Sequence, residues 1–401
     1  MKVKIDRFKL EGSMQIVPSK SILHRVLIIA SLAKGCCRID NVSYSDDVLA
    51  TINCLESLNC KIEKHDNYVL LDSREFLQKV NGPLAVNQSG STLRFLIAIA
   101  LLTDKEVKFT GKESLFKRPL DYYMDLASTY KYLFNLSNDG LVVKGLLNQD
   151  YIEVQSNISS QYVSAILMAL SSLDKDITIK LSSQVVSKSY IDMTIDILRQ
   201  FGKQIVFDNF LIKIKKGKLI IKDYVVEQDM SNMAYIDCFN YLGSNIGLNC
   251  DIDNSIQGDK KYVQFFKQIV NGYCSIDLKD NIDLALILLV LASRYHGVCL
   301  TSTNRLSIKE SDRANCLKRQ FNKLGMDFDI FSDHIICKKQ KIAKPVEVID
   351  GCDDHRIVMA MTVLLSLSSG MISGFEAVNK SYPNYLEDLI RVGAKIEIVE
   401  R

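Results

Sequence analysis

The sequence lacks the features that mark membrane, secreted and nucleic-acid-binding proteins. Its longest apolar run, Leu284–Ala292 ("LALILLVLA"), is far short of the roughly 18 residues a membrane span needs. The first residues, "MKVKIDRFKLEG", alternate charge with apolar side chains, carry no apolar stretch of a signal peptide, and read as a strand. A dominant charge of one sign is missing as well: the net charge is +3, so bulk attraction to nucleic acid is not favoured and any anion site must come from local placement of cations. None of the 11 cysteines forms C-x-x-C, and most occupy apolar positions, which implies buried free thiols in a reducing compartment. The five histidines, at 24, 65, 296, 334 and 355, form no pair at helical spacing, so no zinc or other metal site is expected. The nucleotide-binding pattern G-x-x-x-x-G-K is absent. What remains is an ordinary globular composition, 47% hydrophobic and 24% charged, read as cytoplasmic.

A chain of 401 residues is too long for one core and implies two domains. Within it one unit is written six times: an amphipathic helix ending in Leu-Gly or a close variant, then two short alternating strands. "SYIDMTIDILRQFGKQIVFDNFLIKIK" is a full copy, "GDKKYVQFFKQIVNGYCSIDLK" is cut short, and "SYPNYLEDLIRVGAKIEIVE" closes the chain. Upstream of each lies a helix that is apolar nearly all round, such as "SQYVSAILMALSSL" and "HRIVMAMTVLLSLSSG", with a short strand such as "ITIKL" between the two helices. The predicted fold is therefore α/β (α+β): two domains, each of three repeated βαβαββ units, with the apolar helices central and the sheets outside. The closing copy lacks a leading strand, so "KVKIDRF" is expected to supply it. The chain then crosses between domains near Pro18 and Val226, giving one domain of 1–18 plus 227–401 and another of 19–226, with the cleft between them as the natural site.

The outstanding polar residues collect at helix starts. The apolar helices open with "PSKS", "QSGST", "SNISSQ", "EQDMSN", "DNID" and "CDDHR", and the amphipathic ones with "SDD", "FKRP", "VSKSY", "IQGD", "IKESDR" and "NKSYP". A helix start offers unpaired amides and a partial positive charge, and these starts add Lys20, Arg25, Arg94, Arg118, Lys188, Lys309, Arg313, Arg356 and Lys380. Taken singly, each has a plain reading: "PSKS" and "SSQ" as N-caps, "QSGST" as a glycine turn, "KESDR" as a solvent-facing start with local ion pairs, "DDHR" as a cap beside an exposed histidine. Cys352 beside it reads as an inert small hydrophobe. Recurrence at equivalent places of repeated units weakens the plain reading.

These stretches resemble, in order and across essentially the whole chain, the motifs of the EPSP synthase family. "PSKSILHR" is similar to P-G-S-K-S-x-S-x-R, "QSGSTLRF" to N-[SA]-G-T-[AT]-x-R, and "GKESLFKRP" to G-x-x-x-L-x-x-R-P. "ISSQYVSAILM" carries the S-S-Q motif, and "VVSKSYIDMT" resembles V-S-[KR]-P-Y-I-D-x-T. "KESDR", "DDHRIVMA" and "NKSYPNY" match K-E-[ST]-D-R, D-H-R-x-[AV]-M and K-[ST]-[FY]-P-x-[FY]. The resemblance implies an inverse α/β barrel-like fold and an enzyme, 3-phosphoshikimate 1-carboxyvinyltransferase. It would join the enolpyruvyl group of phosphoenolpyruvate to the 5-hydroxyl of 3-phosphoshikimate in the shikimate pathway to chorismate and aromatic amino acids, as a cytoplasmic monomer without cofactor or metal.

It also implies roles. Asp283 corresponds to the proposed base at the 5-hydroxyl and Glu310 to the proposed general acid at the methylene. Lys20, touching both substrates, is the rival acid. Lys20, Gly90, Arg118, Gln161, Arg313, Arg356 and Lys380 form the phosphoenolpyruvate set. Lys20, Ser21, Arg25, Ser159, Ser160, Gln161, Ser187, Asp283 and Lys309 form the 3-phosphoshikimate set. Domains carrying such rims should close when anionic substrates bridge them.

The chain departs from the pattern in places. The glycine before Ser19 is missing, and Leu23, Gln88, Ser189 and Ser307 stand where the family usually has serine, Asn or Glu, proline, and arginine. Gly90 keeps the small residue that leaves room for glyphosate in this family. The sister family, UDP-N-acetylglucosamine enolpyruvyltransferase, usually carries a loop cysteine where this chain reads "TGKESLFKRP". RNA 3'-phosphate cyclases need a histidine nucleophile. A non-catalytic paralogue is disfavoured by the intact Asp283, Glu310 and Lys20. His24 has no assigned role and is expected on the solvent side or behind the ligand-contacting residues.

Overall fold

The computed structural model describes residues 1–182 and 184–400. The chain forms two compact units: a continuous one, Pro18–Glu227, and a discontinuous one, Met1–Val17 with Gln228–Arg401.

The continuous unit contains α1 (Lys20–Ala33), α2 (Asp46–Ser57), α3 (Gly90–Ala100), the one-turn α4 (Glu113–Phe116), α5 (Asp121–Tyr130), α6 (Ser160–Ser171) and α7 (Lys188–Gln200). Helices α1, α3 and α6 are buried along nearly their whole length, because apolar residues cover every face; Ile22 to Leu32 and Tyr162 to Ser171 are buried without a break. Helix α7 instead buries one stripe, including Ile191, Ile195 and Leu198. Three four-stranded sheets accompany them. The one following α6 runs Tyr151–Val154, Ile177–Leu181, Leu211–Ile214, Ile205–Asp208 in spatial order. Its first two strands are parallel, joined through α6 as a crossover, and the others pair antiparallel. Alternation is plain in Ile177–Leu181, which buries residues 177, 179 and 181.

The discontinuous unit contains α8 (Met230–Tyr241), α9 (Tyr262–Asn271), α10 (Ala285–Arg294), α11 (Arg313–Lys323), α12 (His355–Ser368) and α13 (Tyr385–Arg391). Helices α8, α10 and α12 are the buried ones. The run "LALILLVLA" lies almost wholly in α10, where Ala285 to Ser293 are all buried.

Two sequence expectations are corrected here. The closing copy has its own leading strand, Ile349–Asp350, parallel to Gly370–Ser373. What it lacks is its final strand, and Lys2–Ile5 takes that place between Gly370–Ser373 and Ile396–Glu400, antiparallel to both. Lys2–Ile5 seals that position with Val3 and Ile5 fully buried. Second, Cys274–Asp277 does not complete the short fourth copy. It pairs in parallel with Val298–Thr301 and leads the fifth. The fourth copy keeps a two-stranded sheet, Glu11–Met14 with Asn245–Leu248.

Strands borrowed across the sequence also complete the first copy. Tyr224–Val225 is its leading strand, parallel to Cys36–Asp40. The strand just before each unit boundary therefore holds the unit shut where a copy has no leading strand of its own.

Candidate active site

The functional side chains of the continuous unit stand at the starts of its buried helices. Ser19, Ser89 and Ser159 are extended N-cap residues whose hydroxyl oxygens accept from the amides of Ile22, Thr92 and Gln161, at 3.4, 3.3 and 3.2 Å. None of α1, α3, α6, α8, α10 or α12 has an acidic residue in its first turn, although acids are favoured there. The serine-capped ends of α1, α3 and α6 are thus left for other anions, while Asp229 and Asp354 cap α8 and α12. No residue from 15 to 19 has positive φ, so the backbone before Ser19 does not demand the missing glycine.

Lys20 Nζ pairs with Asp47 Oδ2 at 2.7 Å. Arg25, 2% exposed, donates from Nε to Thr194 Oγ1 and from Nη1 to the Ser21 carbonyl, both at 2.7 Å, and lies 5.0 Å from the Phe95 ring centroid. Burial brings its pKa down to about 10, still leaving it charged at neutral pH. Gln161 joins two helix starts, accepting from Arg94 Nη1 at 2.7 Å and donating to Ser91 Oγ at 2.9 Å. Ser187 is buried in the left-handed region at φ 51, at the head of α7, and Lys188 beside it pairs with Asp192 at 2.7 Å. Ser160 is buried in the first turn of α6.

Gly90 leaves room for the tip of the Arg118 side chain. A Cβ there would sit 2.8 Å from Arg118 Nη1 and 3.5 Å from Arg94 Nη1. Two guanidiniums therefore converge on one glycine. No described residue accepts from the Arg118 guanidinium, and buried Arg94 has no partner for Nε. Burial, then Arg118, lowers the Arg94 pKa against the aromatic hydroxyls around it.

In the discontinuous unit the hub is Arg313, 2% exposed in its side chain. It pairs through Nη1 with Asp283 Oδ1 at 2.8 Å, through Nη2 with Glu310 Oε2 at 2.6 Å and through Nε with Asp354 Oδ2 at 2.9 Å. Lys309 Nζ shares Asp283 Oδ1 at 3.1 Å. Burial alone would raise the Asp283 carboxyl, but Lys309, Arg313 and Arg356 outweigh it and hold it far below the usual carboxylate range. Burial likewise pulls Lys309 down, against Asp283. Asp354, fully buried, also accepts from Ser311 Oγ at 3.0 Å and the Arg356 amide at 2.9 Å. Arg356 is 7% exposed, lies 5.4 Å from the Tyr235 ring centroid, and has no partner for Nε or Nη1. Lys380 Nζ donates to Asp353 Oδ1 at 2.7 Å and to the Asp353 carbonyl.

In the continuous unit Lys20, Ser21, Arg25, Gly90, Arg118, Ser159, Ser160, Gln161 and Ser187 all lie at or near helix starts; in the discontinuous unit Asp283, Lys309, Glu310 and Arg313 are joined in one ion-pair cluster. His24 is not on the solvent side: it is fully buried, with Nδ1 2.7 Å from Thr51 Oγ1. Thr51 Oγ1 lies 2.7 Å from Thr92 Oγ1, which donates to Ser89 Oγ at 2.7 Å, so the chain ties α1, α2 and α3 at their starts. His355 is buried too, not exposed. Of the departures, Leu23 is core, Ser307 is exposed and bonds the Asn304 carbonyl, and Ser189 stands in a first helical turn where proline is equally accepted. Nothing in the sequence separates Asp47, Asp354 or Tyr235 from ordinary helix residues, and Arg94 reads there only as a helix-start cation. Its spacing, one turn beyond Gly90, was the available signal for a ligand role.

The chain matches the family described as EPSP synthase (3-phosphoshikimate 1-carboxyvinyltransferase) over residues 6–389. It belongs to the EPSP synthase family. Relatives named 3-phosphoshikimate 1-carboxyvinyltransferase include those of Clostridium novyi (strain NT), 36% identical over 98% of both chains, and Clostridium beijerinckii (strain ATCC 51743 / NCIMB 8052), 34% identical over 98% of this chain and 97% of the other. The solved EPSP synthase from Acinetobacter baumannii shares the fold at a TM-score of 0.79, with 21% identity and full coverage of both chains.

Proposed function

We propose that this chain transfers the enolpyruvyl group of phosphoenolpyruvate to the 5-hydroxyl of 3-phosphoshikimate, releasing phosphate, in the shikimate pathway to chorismate and aromatic amino acids. The observation that carries this is the set of buried guanidinium nitrogens without partners, at Arg94 and Arg356, with Arg118 against Gly90. Buried donors left unsatisfied are unfavourable unless a ligand completes them, and planar guanidinium forks suit phosphate and carboxylate.

In this reading Arg118, Arg313, Arg356 and Lys380, with Gly90 leaving the room, hold the donor. Ser21, Arg25, Ser159, Ser160, Ser187 and Lys309 hold the acceptor, and Lys20 and Gln161 touch both. Asp283 takes the hydroxyl proton. Glu310, or Lys20 in its place, delivers a proton to the methylene carbon, making the neighbouring carbon electrophilic. The tetrahedral adduct then expels phosphate into the cations, and the methyl group returns its proton. We read the enzyme as a cytoplasmic monomer without cofactor; among the described residues no helix is long and apolar enough to cross a membrane.

The test is phosphate release with each acceptor in turn. Release should require phosphoenolpyruvate together with 3-phosphoshikimate. Release with UDP-N-acetylglucosamine alone as acceptor would overturn the assignment to the shikimate substrate.

A further inference from the structure

The "IQGD" stretch, residues 256–259, is a helix start that the reaction above leaves unused. Asp259 lies in a short turn, Gly258–Lys261, that leads into α9, and it is 3% exposed. A carboxylate removed from water is costly unless it is bonded. Here both oxygens are engaged. Oδ1 accepts from Asn281 Nδ2 at 3.0 Å, and Oδ2 accepts from the Ser231 hydroxyl in the first turn of α8. Asn281 and Ser231 are buried as well. Burial first, then Asp283, pushes the Asp259 pKa up, against the bonds from Asn281 and Ser231. Gln257 adds a second tie to the start of α8: Oε1 accepts from the Met230 amide at 3.1 Å, and Nε2 donates to the Gln228 carbonyl at 2.6 Å. The stretch is therefore fixed to α8 independently of Asn281.

Asn281 stands two residues before Asp283. It opens the short helical turn Ile282–Leu284, which carries Asp283 and runs directly into α10. The Asn281 amide donates to the Leu278 carbonyl at 3.2 Å, and its carbonyl accepts from the Leu284 amide at 3.1 Å, so the backbone is closed on both sides of it. Arg305, also buried, donates from Nη2 to the Lys279 carbonyl at 2.6 Å. The Asp283 carboxylate has anchors of its own in Lys309 and Arg313. Those anchors are cations, which an arriving anion draws off. The link from Asp259 through Asn281 involves no cation and remains when they go.

We propose that Asp259 is a positioning residue for Asp283: through Asn281 it pins the turn that carries the carboxylate, so that Asp283 stays in place when Lys309 and Arg313 turn to substrate. The inference rests on the reaction proposed above. Asp259 acts through Asn281 and moves no proton itself. In the free chain the ion pairs hold Asp283 whether or not the turn is pinned, so loss of Asp259 leaves substrate binding nearly unaltered. In the loaded complex the turn is the remaining support. A displacement of about 1 Å at a reacting group then costs on the order of a hundredfold in rate. The loss is one of kcat, not of KM.

The experiment measures kcat and both KM values for Asp259→Ala, Asn281→Ala and the double variant of the whole chain. In parallel it follows amide hydrogen exchange of residues 278–284 with and without inorganic phosphate. Each single variant should lower kcat on the order of a hundredfold with both KM values little changed. The double variant should be no worse than either single one, because both cut the same link. Asp259→Asn, whose amide oxygen can still accept from Asn281, should restore most of the turnover. Exchange in residues 278–284 should quicken in Asp259→Ala, and more so with phosphate present. Asn281→Ala leaves Asp259 bonded to Ser231, so it decides the matter where Asp259→Ala does not fold. Unchanged kcat in Asn281→Ala, losses that add in the double variant, or exchange that stays slow overturns the proposal. If the parent chain shows no transfer from phosphoenolpyruvate to 3-phosphoshikimate, the assigned reaction fails, and the exchange measurements alone decide whether Asp259 pins the turn.

Discussion

Asp283→Asn separates the observed ion-pair role of one carboxylate from the base role proposed for it. Asp283 Oδ1 accepts from Arg313 Nη1 at 2.8 Å and Lys309 Nζ at 3.1 Å, with 20% of the side chain exposed. Charge-assisted bonds contribute roughly 1.5–3 kcal/mol each, so the pair is worth about 3 kcal/mol at the lower end, suitable for a group still touched by water. An anion that recruits Lys309 and Arg313 must replace those bonds. Removing the charge while keeping the shape lifts that competition. About 3 kcal/mol corresponds to roughly a hundredfold, but Glu310 and Asp354 stay on Arg313, so the expected tightening of phosphate is about tenfold.

Turnover should move the other way. Loss of the base is expected to lower kcat by roughly 10²- to 10⁴-fold. The assay is therefore a pair: titration calorimetry with inorganic phosphate, and single-turnover transfer with both substrates. The reasoning fails if phosphate binds the variant no better than the parent, because Asp283 then does not compete for the cations. It fails separately if the chemical step survives. The same competition explains how so weak a base could act: with Lys309, Arg313 and Arg356 drawn onto substrate anions, the forces that depress Asp283 are spent elsewhere and its proton affinity rises.

Glu310→Gln keeps the contact to Arg313 but not the proton; turnover should fall by about 10²-fold or more while calorimetric binding of 3-phosphoshikimate persists. Gly90→Ala places a methyl 2.8 Å from Arg118 Nη1, so the KM for phosphoenolpyruvate should rise by about tenfold with a smaller change in kcat; an unchanged KM would take Arg118 out of donor binding. His24 is held neutral, by burial first and then by Lys20 and Arg25, with its pKa well below 6.5. The unfolded chain therefore takes up a proton below about 6.5 that the folded chain refuses, and stability falls as pH drops, by at most about 1.4 kcal/mol per unit. Urea midpoints of parent and His24→Asn between pH about 7 and about 5 should show a shallower fall in the variant; parallel curves would refute it.

The helices were legible because their periodicity is local: "ISSQYVSAILM" states both its cap and its buried length without help from elsewhere. The strand partners were not. Nothing in "KVKIDRF" distinguishes a leading from a final strand, since both alternate in the same way, and the choice depends on which edge Ile396–Glu400 leaves open. The same limit governs the site. The cations could be read because they recur at helix starts. The carboxylates that hold them could not: Asp47 and Asp354 read as ordinary helix-start acids until Lys20 and Arg313 are found against them. For His24 only the solvent-side alternative is excluded, because the side chain is fully buried. Its variable place in the motif does not reveal its partner, Thr51, which a different helix supplies.

The placement of acids explains how a chain with net charge +3 keeps cations poised for anions. Helices α1, α3 and α6 have serine caps and no acid in the first turn, so they retain their positive ends, whereas α8 and α12 are capped by Asp229 and Asp354. The acids come from adjoining elements: Asp47 in the first turn of α2 for Lys20, Glu310 from the turn before α11 for Arg313, Asp353 and Asp354 from the turn before α12 for Lys380 and Arg313. Each such carboxylate orients a long cationic side chain that would otherwise sample many rotamers, and an arriving anion meets groups already aimed. The cost is competition, and it is graded. Arg118 and Arg94 have no carboxylate partner among the described residues, whereas Arg313 carries three. An anion should therefore meet Arg94 and Arg118 without displacing a carboxylate, whereas one that draws Arg313 away must compete with three ion pairs.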